Sequence, residues 1–235
     1  MLLFFGSTIL FVFLYKWMPV YVTPLMVIRN FEQMGQDEER RWEHHWVPLD
    51  SITPYLPIAV MASEDQLFLQ HSGFDKKAIG QAIKEKMDGK RLRGGSTISQ
   101  QTAKNVFLWN GRSWIRKGLE AYFTMLIEWM WDKDRIMEVY LNSIEMGRGI
   151  YGAEAVAQEN FHCHADRLTR EQCALIAASL PNPLMHDSSH PDAYLYKHQR
   201  RILRQMRNIG SWWTNREKEK ENENKEEEEK KKNGN

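Results

Sequence analysis

From Thr53 to Ile209 the apolar residues recur at the three- and four-residue spacing of helices, and no stretch alternates as a half-buried strand would. That periodicity predicts an all-α domain. The longest segment, Ser113 to Trp131, turns Leu119, Tyr122, Phe123, Leu126, Ile127 and Met130 inward. A helix over Asp134 to Met146 follows, and Gly147, Gly149 and Gly152 punctuate the chain before another at Ala153 to Phe161. Earlier, Asp75 is placed to cap a helix with Ala78, Ile79, Ala82, Ile83 and Met87 on one stripe, ahead of a basic, glycine-bearing loop from Asp88 to Gly95. Thr53-Pro54 reads as a cap followed by proline at the first helical position. Thr169 to Gln172 reads as a capping box opening Cys173 to Leu180. Asp192 to Ile209 is the last amphipathic helix, closed by Gly210.

Outside this domain the chain changes character. Residues 1–23 begin with an almost unbroken apolar run, Leu2 to Tyr15, followed by Lys16, Trp17 and Tyr21. A span needs about 20 residues, with Trp, Tyr and Lys suited to its interfacial end. One membrane helix within 2–22 is the expectation. A cleaved signal peptide fits less well, because no basic segment precedes the run and no small-x-small cleavage site follows it. Residues 24–50 form a connector of mixed aromatic and charged residues. Residues 51–213 form the domain, and 214–235 a tail of Glu, Lys and Asn that cannot bury a core. A net charge of +1 gives no field that argues for nucleic acid. Two cysteines are too few for a disulfide framework, and Cys163 and Cys173 read as ordinary thiols.

Two blocks carry chemistry-bearing residues. The first sets Glu64 and Asp65 at the end of the apolar run Tyr55 to Met61. Lost hydration raises a carboxylate's pKa toward the range of a useful general base. The second, Arg93 to Asn105, puts Thr97, Gln101 and Lys104 on one helical face with Gln100 beside them. Hydroxyl, amide and ammonium groups on one face suit a polar, anionic ligand. Arg116, Lys117 and Glu120 follow at i, i+1 and i+4, a spacing that by itself fits a surface ion pair.

Glu64-Asp65-x-x-Phe68-x-x-His71-x-Gly73 resembles the first signature motif of the peptidoglycan glycosyltransferases, and Gly94 to Asn105 resembles their second. Arg116, Lys117 and Glu120 resemble the third, Arg135 to Gly152 with Tyr140-Leu141-Asn142 the fourth, and Leu175 to Pro183 the fifth. The likeness runs in order from about Trp46 to Gly210, closest to the single-domain, monofunctional biosynthetic form. It implies a lysozyme-like helical domain on the outer face of the cytoplasmic membrane, anchored by one span. The implied reaction polymerises lipid II into β-1,4 glycan strands, with inversion and release of undecaprenyl diphosphate. The implied partners are lipid II, the growing lipid-linked strand, the membrane and other wall-building proteins. Glu64 is then the base that deprotonates the acceptor hydroxyl, and Glu120 the second important carboxylate. Substrate contacts fall to Asp65, Phe68, His71, Arg93, Ser96, Thr97, Gln100, Gln101, Lys104, Asn105, Arg112, Arg116, Lys117 and Asn142. Phe68 also reads as packing beneath the site, and His71 as a structural hydrogen-bonding group. Whether Glu120 shares a divalent metal such as Mg²⁺ with the diphosphate or only organises cations is left open; no organic cofactor is implied. Asn160 and Arg148 depart from the usual pattern and bear on acceptor contacts.

Other chemistries fit less well. Ser96 has no Gly-x-Ser-x-Gly context, Gly94-Gly95 is not a phosphate-binding P-loop, and the His162-Cys163-His164 run matches no zinc spacing. A glycan-cleaving muramidase or lytic transglycosylase could use the same glutamate, but it has no diphosphate to neutralise. An inactive lipid II-binding scaffold would have no use for Glu64 and Glu120.

Overall fold

The computed structural model describes residues 2–35, 40–75, 80, 95–111, 113–209 and 225. The helix expected from Asp75 through Met87, the loop to Gly94, and the tail fall almost wholly outside the described residues, as do Arg93 and Arg112.

The helices are α1 (Leu2–Leu14), α2 (Pro24–Met34), α3 (Tyr55–Glu64), α4 (Ile98–Phe107), α5 (Trp114–Met130), α6 (Lys133–Ser143), α7 (Ala153–Phe161) and α8 (Arg170–Ser179). A ninth, α9, covers 193–209. Side-chain caps set most of their starts. The hydroxyls of Thr23, Thr97, Ser113 and Thr169 and the carboxylate of Asp132 each accept a backbone N–H from the first turn of α2, α4, α5, α8 and α6. The predicted box at Thr169 and Gln172 is present, and Thr97 with Gln100 forms a second. The expected cap at Thr53 differs: α3 opens at Tyr55, Pro54 holds the cap position, and no side chain caps it.

α4 is the centre of the packing. It lies against α2, α5 and α6, while α3 lies along α8. Ile98, Ala103, Ile127, Ile136, Met137, Tyr140 and Leu141 fill the space between α4, α5 and α6, and none is accessible to solvent. α3 is apolar all round, from Leu56 to Ala62, because it is buried on every side.

Three findings correct the sequence reading. The domain is mostly helical but not purely so: β1 (Glu43–His44), β2 (Glu145–Gly147) and β3 (Ile150–Tyr151) form a small sheet in the order β1-β3-β2. β1 pairs with β3 in parallel and β2 with β3 antiparallel. Strands of two and three residues are too short to show alternation. β2 also ends the predicted helix over 134–146 early, at Ser143. Third, α1 has 13 residues, and no helix among the described residues is long and apolar enough to cross a membrane. The chain turns at 15–18 and Pro19 follows.

α1 instead lies on α5. The Thr8 and Tyr122 hydroxyls are 2.9 Å apart, Val12 is fully buried, and the Trp131 indole N–H donates to the Val12 carbonyl at 2.8 Å. Arg135 closes the turn after α1 by donating to the carbonyls of Tyr15 and Met18.

Candidate active site

α3 delivers Glu64 as its last residue, and Asp65 leaves the helix with φ −158° and ψ 82°. The run of apolar residues drives α3 into the core and stops where the two carboxylates begin. Glu64 is only partly exposed, and burial raises its pKa. Gln101 opposes that shift by donating from Nε2 to the Glu64 Oε2 at 2.8 Å. The Ser63 hydroxyl donates to the Ala177 carbonyl at 3.1 Å and stands 3.4 Å from the other Glu64 oxygen. The result is a desolvated carboxylate held at a helix end with one oxygen bonded to Gln101.

Asp65 turns the other way. Its oxygens lie 3.0 Å from His71 Nε2 and accept the Ile98 backbone N–H at 3.0 Å. The Gly73 N–H donates to His71 Nδ1, so Nε2 carries the proton and faces Asp65. The Thr97 hydroxyl donates to the Gly73 carbonyl at 2.7 Å. Gly73 has φ 85°, and a Cβ there would lie 2.7 Å from the Thr124 methyl group. Asp65, His71, Gly73 and Thr97 thus bind the first motif to the start of α4, with Phe68 fully buried beneath.

A second polar group stands beside Lys104. Glu120 is 3% exposed, and Arg116 donates to it at 2.9 Å. Lys117 donates to the other Glu120 oxygen. Arg116 also reaches the Gly111 carbonyl at 2.7 Å. Burial lowers the Lys104 pKa; Glu120 works against this, while Arg116, Lys117 and Arg29 add to it. Arg29 comes from α2, where it donates to Glu32 and to the buried Glu145 of β2. Gln101 and Lys104 are three residues apart on α4, so the residue that holds Glu64 and the residue beside the cation cluster share one helix face.

The predicted residues therefore divide. Glu64, Gln101, Lys104, Arg116, Lys117 and Glu120 converge on the face of α4, and exposed Ser96 lies just before it. Thr97 and Gln100 form the box that starts α4, and Asn105 is buried. Asn142 is wholly buried: it accepts from Val47 N–H and donates to the Val47 and Glu138 carbonyls, tying the connector to α6. Ser63, Arg29 and the Tyr140 hydroxyl were not singled out from sequence. Tyr140 stands inside the fourth motif, but no local pattern marks which buried tyrosine aims its hydroxyl at the Gln101 amide.

The residues around Glu120 fit a cation organiser better than a metal ligand. Both of its oxygens already take cationic side chains, and the groups nearest it are positive. Among the described residues no three His, Cys, Asp or Glu side chains are grouped to hold a metal. Cys163 and Cys173 are free thiols.

The family model described as Transglycosylase matches residues 30–207. A biosynthetic peptidoglycan transglycosylase of Bacteroides thetaiotaomicron is 59% identical over 206 residues, covering 88% of this chain and 83% of the relative. Proteins of the same name from Bdellovibrio bacteriovorus and Caulobacter vibrioides are 52% and 54% identical, covering 87% and 81% of this chain and 82% and 81% of those relatives. With that match across most of its length, the chain belongs to the transglycosylase family and is a peptidoglycan glycosyltransferase of cell-wall synthesis.

Proposed function

We propose that the chain extends glycan from lipid II, joining sugars by β-1,4 bonds and releasing undecaprenyl diphosphate. Glu64 takes the proton of the acceptor hydroxyl as its oxygen attacks the anomeric carbon of the lipid-linked donor. The new carbon–oxygen bond forms on the face opposite the departing diphosphate, so the centre inverts. The old bond breaks, and its electron pair leaves on the diphosphate. Lys104, Arg116 and Lys117 take up that charge, and Glu120 holds the last two in place. The observation that carries this reading is the pairing on α4: a desolvated carboxylate at Gln101 and a cation cluster at Lys104. A glycan-cleaving enzyme has no use for the second. Both Glu120 oxygens are taken by Arg116 and Lys117, so no divalent metal is assigned to that carboxylate.

The reading extends to location. α1 leaves Leu3, Leu10 and Phe11 exposed, and its neighbour α5 exposes Trp114, Ile115 and Trp129. Exposed apolar side chains on two adjoining helices support attachment to the outer face of the cytoplasmic membrane, where both lipid-linked substrates lie.

The test is polymerisation of labelled lipid II by the detergent-solubilised full chain. The wild type should make polymer and Glu64→Gln should lose at least 10²-fold in rate. Cleavage of preformed glycan without polymerisation would replace the reading with a lytic one.

A further inference from the structure

We propose that Tyr140 is a positioning residue for the base: its hydroxyl fixes the Gln101 amide in the orientation that points the NH₂ group at Glu64. The proposal rests on Glu64 being the base. Tyr140 lies on α6, fully buried, and α6 packs against α4. Its hydroxyl donates to Gln101 Oε1 at 3.3 Å, while Gln101 Nε2 donates to Glu64 Oε2 at 2.8 Å. An amide has one accepting end and one donating end. Here each end has a partner of the right kind, and a flip would set the carbonyl oxygen against the carboxylate.

Among the described residues, Gln101 alone donates to that oxygen of Glu64. Ser63 approaches only the other oxygen, and its hydroxyl is committed to Ala177. Among the described residues, the charged and titratable groups that bear on Glu64 are Asp65 on its own segment, Lys104 from α4 and Tyr140 from α6. α8, packed along α3, meets this end through the Ala177 carbonyl. Gln101 is therefore the main neutral donor to the base, and its hydrogen bond favours the ionised form. Among the described residues, Tyr140 is the only side chain that donates to Gln101 Oε1. Without that hydroxyl the amide turns, and Glu64 loses both its aim and part of its stabilisation as an anion.

Tyr140→Phe tests this, because it removes the hydroxyl and keeps the ring. Expected results are a kcat about tenfold lower, KM within about twofold, and an acid limb of the pH–rate profile moved up by roughly 0.5–1 unit. Gln101→Met should move the limb in the same direction, and adding Tyr140→Phe to it should cost nothing further, since both act through one hydrogen bond. Wild-type kcat and acid limb in Tyr140→Phe, or losses that multiply in the double variant, would overturn the proposal. A Tyr140→Phe chain that does not fold in a thermal melt would assign the hydroxyl to the fold and overturn it too. Glu64→Gln in the same series separates the two ideas: if that variant keeps polymerising, the assignment of the base has failed rather than the role of Tyr140.

Discussion

The Asp65 carboxylate accepts the backbone N–H of Ile98 at 3.0 Å, and through that bond the first motif holds the start of the helix that carries the second. Asp65 is buried and also bonded to His71, so its removal leaves two polar groups facing the core unpaired. Asp65→Ala should destabilise the fold by about 2–4 kcal/mol. It should also lower kcat, because Gln101 rides on the same helix. A denaturant melt checks the first effect. A stability within experimental error of wild type would show that the bond to Ile98 holds nothing together.

The two groups set along one face of α4 place opposite limits on pH. Glu64 must be ionised to act as a base, and burial lifts its pKa above the ordinary carboxylate range. Activity should therefore fall as pH drops through that raised value. Lys104 must be protonated to take up diphosphate charge, and burial lowers its pKa below that of an ordinary lysine. Activity should fall again as pH rises through the lowered value. Glu120 raises the Lys104 pKa, so Glu120→Gln should move the alkaline limb to lower pH, beyond cutting kcat by about 10²-fold. A pH–rate series on the wild type and Glu120→Gln measures both. An alkaline limb that stays in place would separate Lys104 from the reaction.

How much of this the sequence shows depends on how local each feature is. The capping box at Thr169 is a pattern of four residues, and the structure has it. The end of the apolar run at Glu64 is equally local, and it marks where α3 emerges. The sheet is not local: Glu43 pairs with Ile150, more than a hundred residues on in the chain, in strands too short to carry a pattern. Asn142 belongs to the same class. Its motif suggests a ligand contact, but its bonds to the connector at Val47 depend on how distant segments meet. The hydroxyl of Tyr140 has meaning only once α4 and α6 are packed.

The glycine expected to punctuate the chain at 149 has a specific partner. Its φ is 65°, and an added Cβ would lie 2.1 Å from the Arg41 carbonyl oxygen. Its own carbonyl accepts the Glu43 N–H at 2.8 Å, the bond that begins the pairing of β1. Gly149→Ala should cost about 2–4 kcal/mol, part from the left-handed backbone and part from displacing residues 41–44. Amide exchange at Glu43 should quicken more than exchange in α4. Uniform quickening would mean that the strand is not what the glycine protects.

The membrane face makes the last claim, and α1 decides how it must be tested. Thirteen helical residues rise about 20 Å, short of the roughly 30 Å hydrocarbon core. α1 also lies on α5 through Thr8 and Tyr122, and its Val12 carbonyl accepts the indole N–H of Trp131 just past the end of α5. Trp114 is 93% exposed and Trp129 79% exposed, so neither supports the core. Replacing either with Ser should leave the melting temperature unchanged. If these rings enter lipid, each loses apolar burial of about 1.5–3 kcal/mol, which is at least about tenfold in affinity. Sedimentation with vesicles of phosphatidylethanolamine and phosphatidylglycerol reads this directly. Weaker binding with an intact melt places α5 in the bilayer surface beside α1; unchanged binding leaves α1 and the residues after it as the sole attachment.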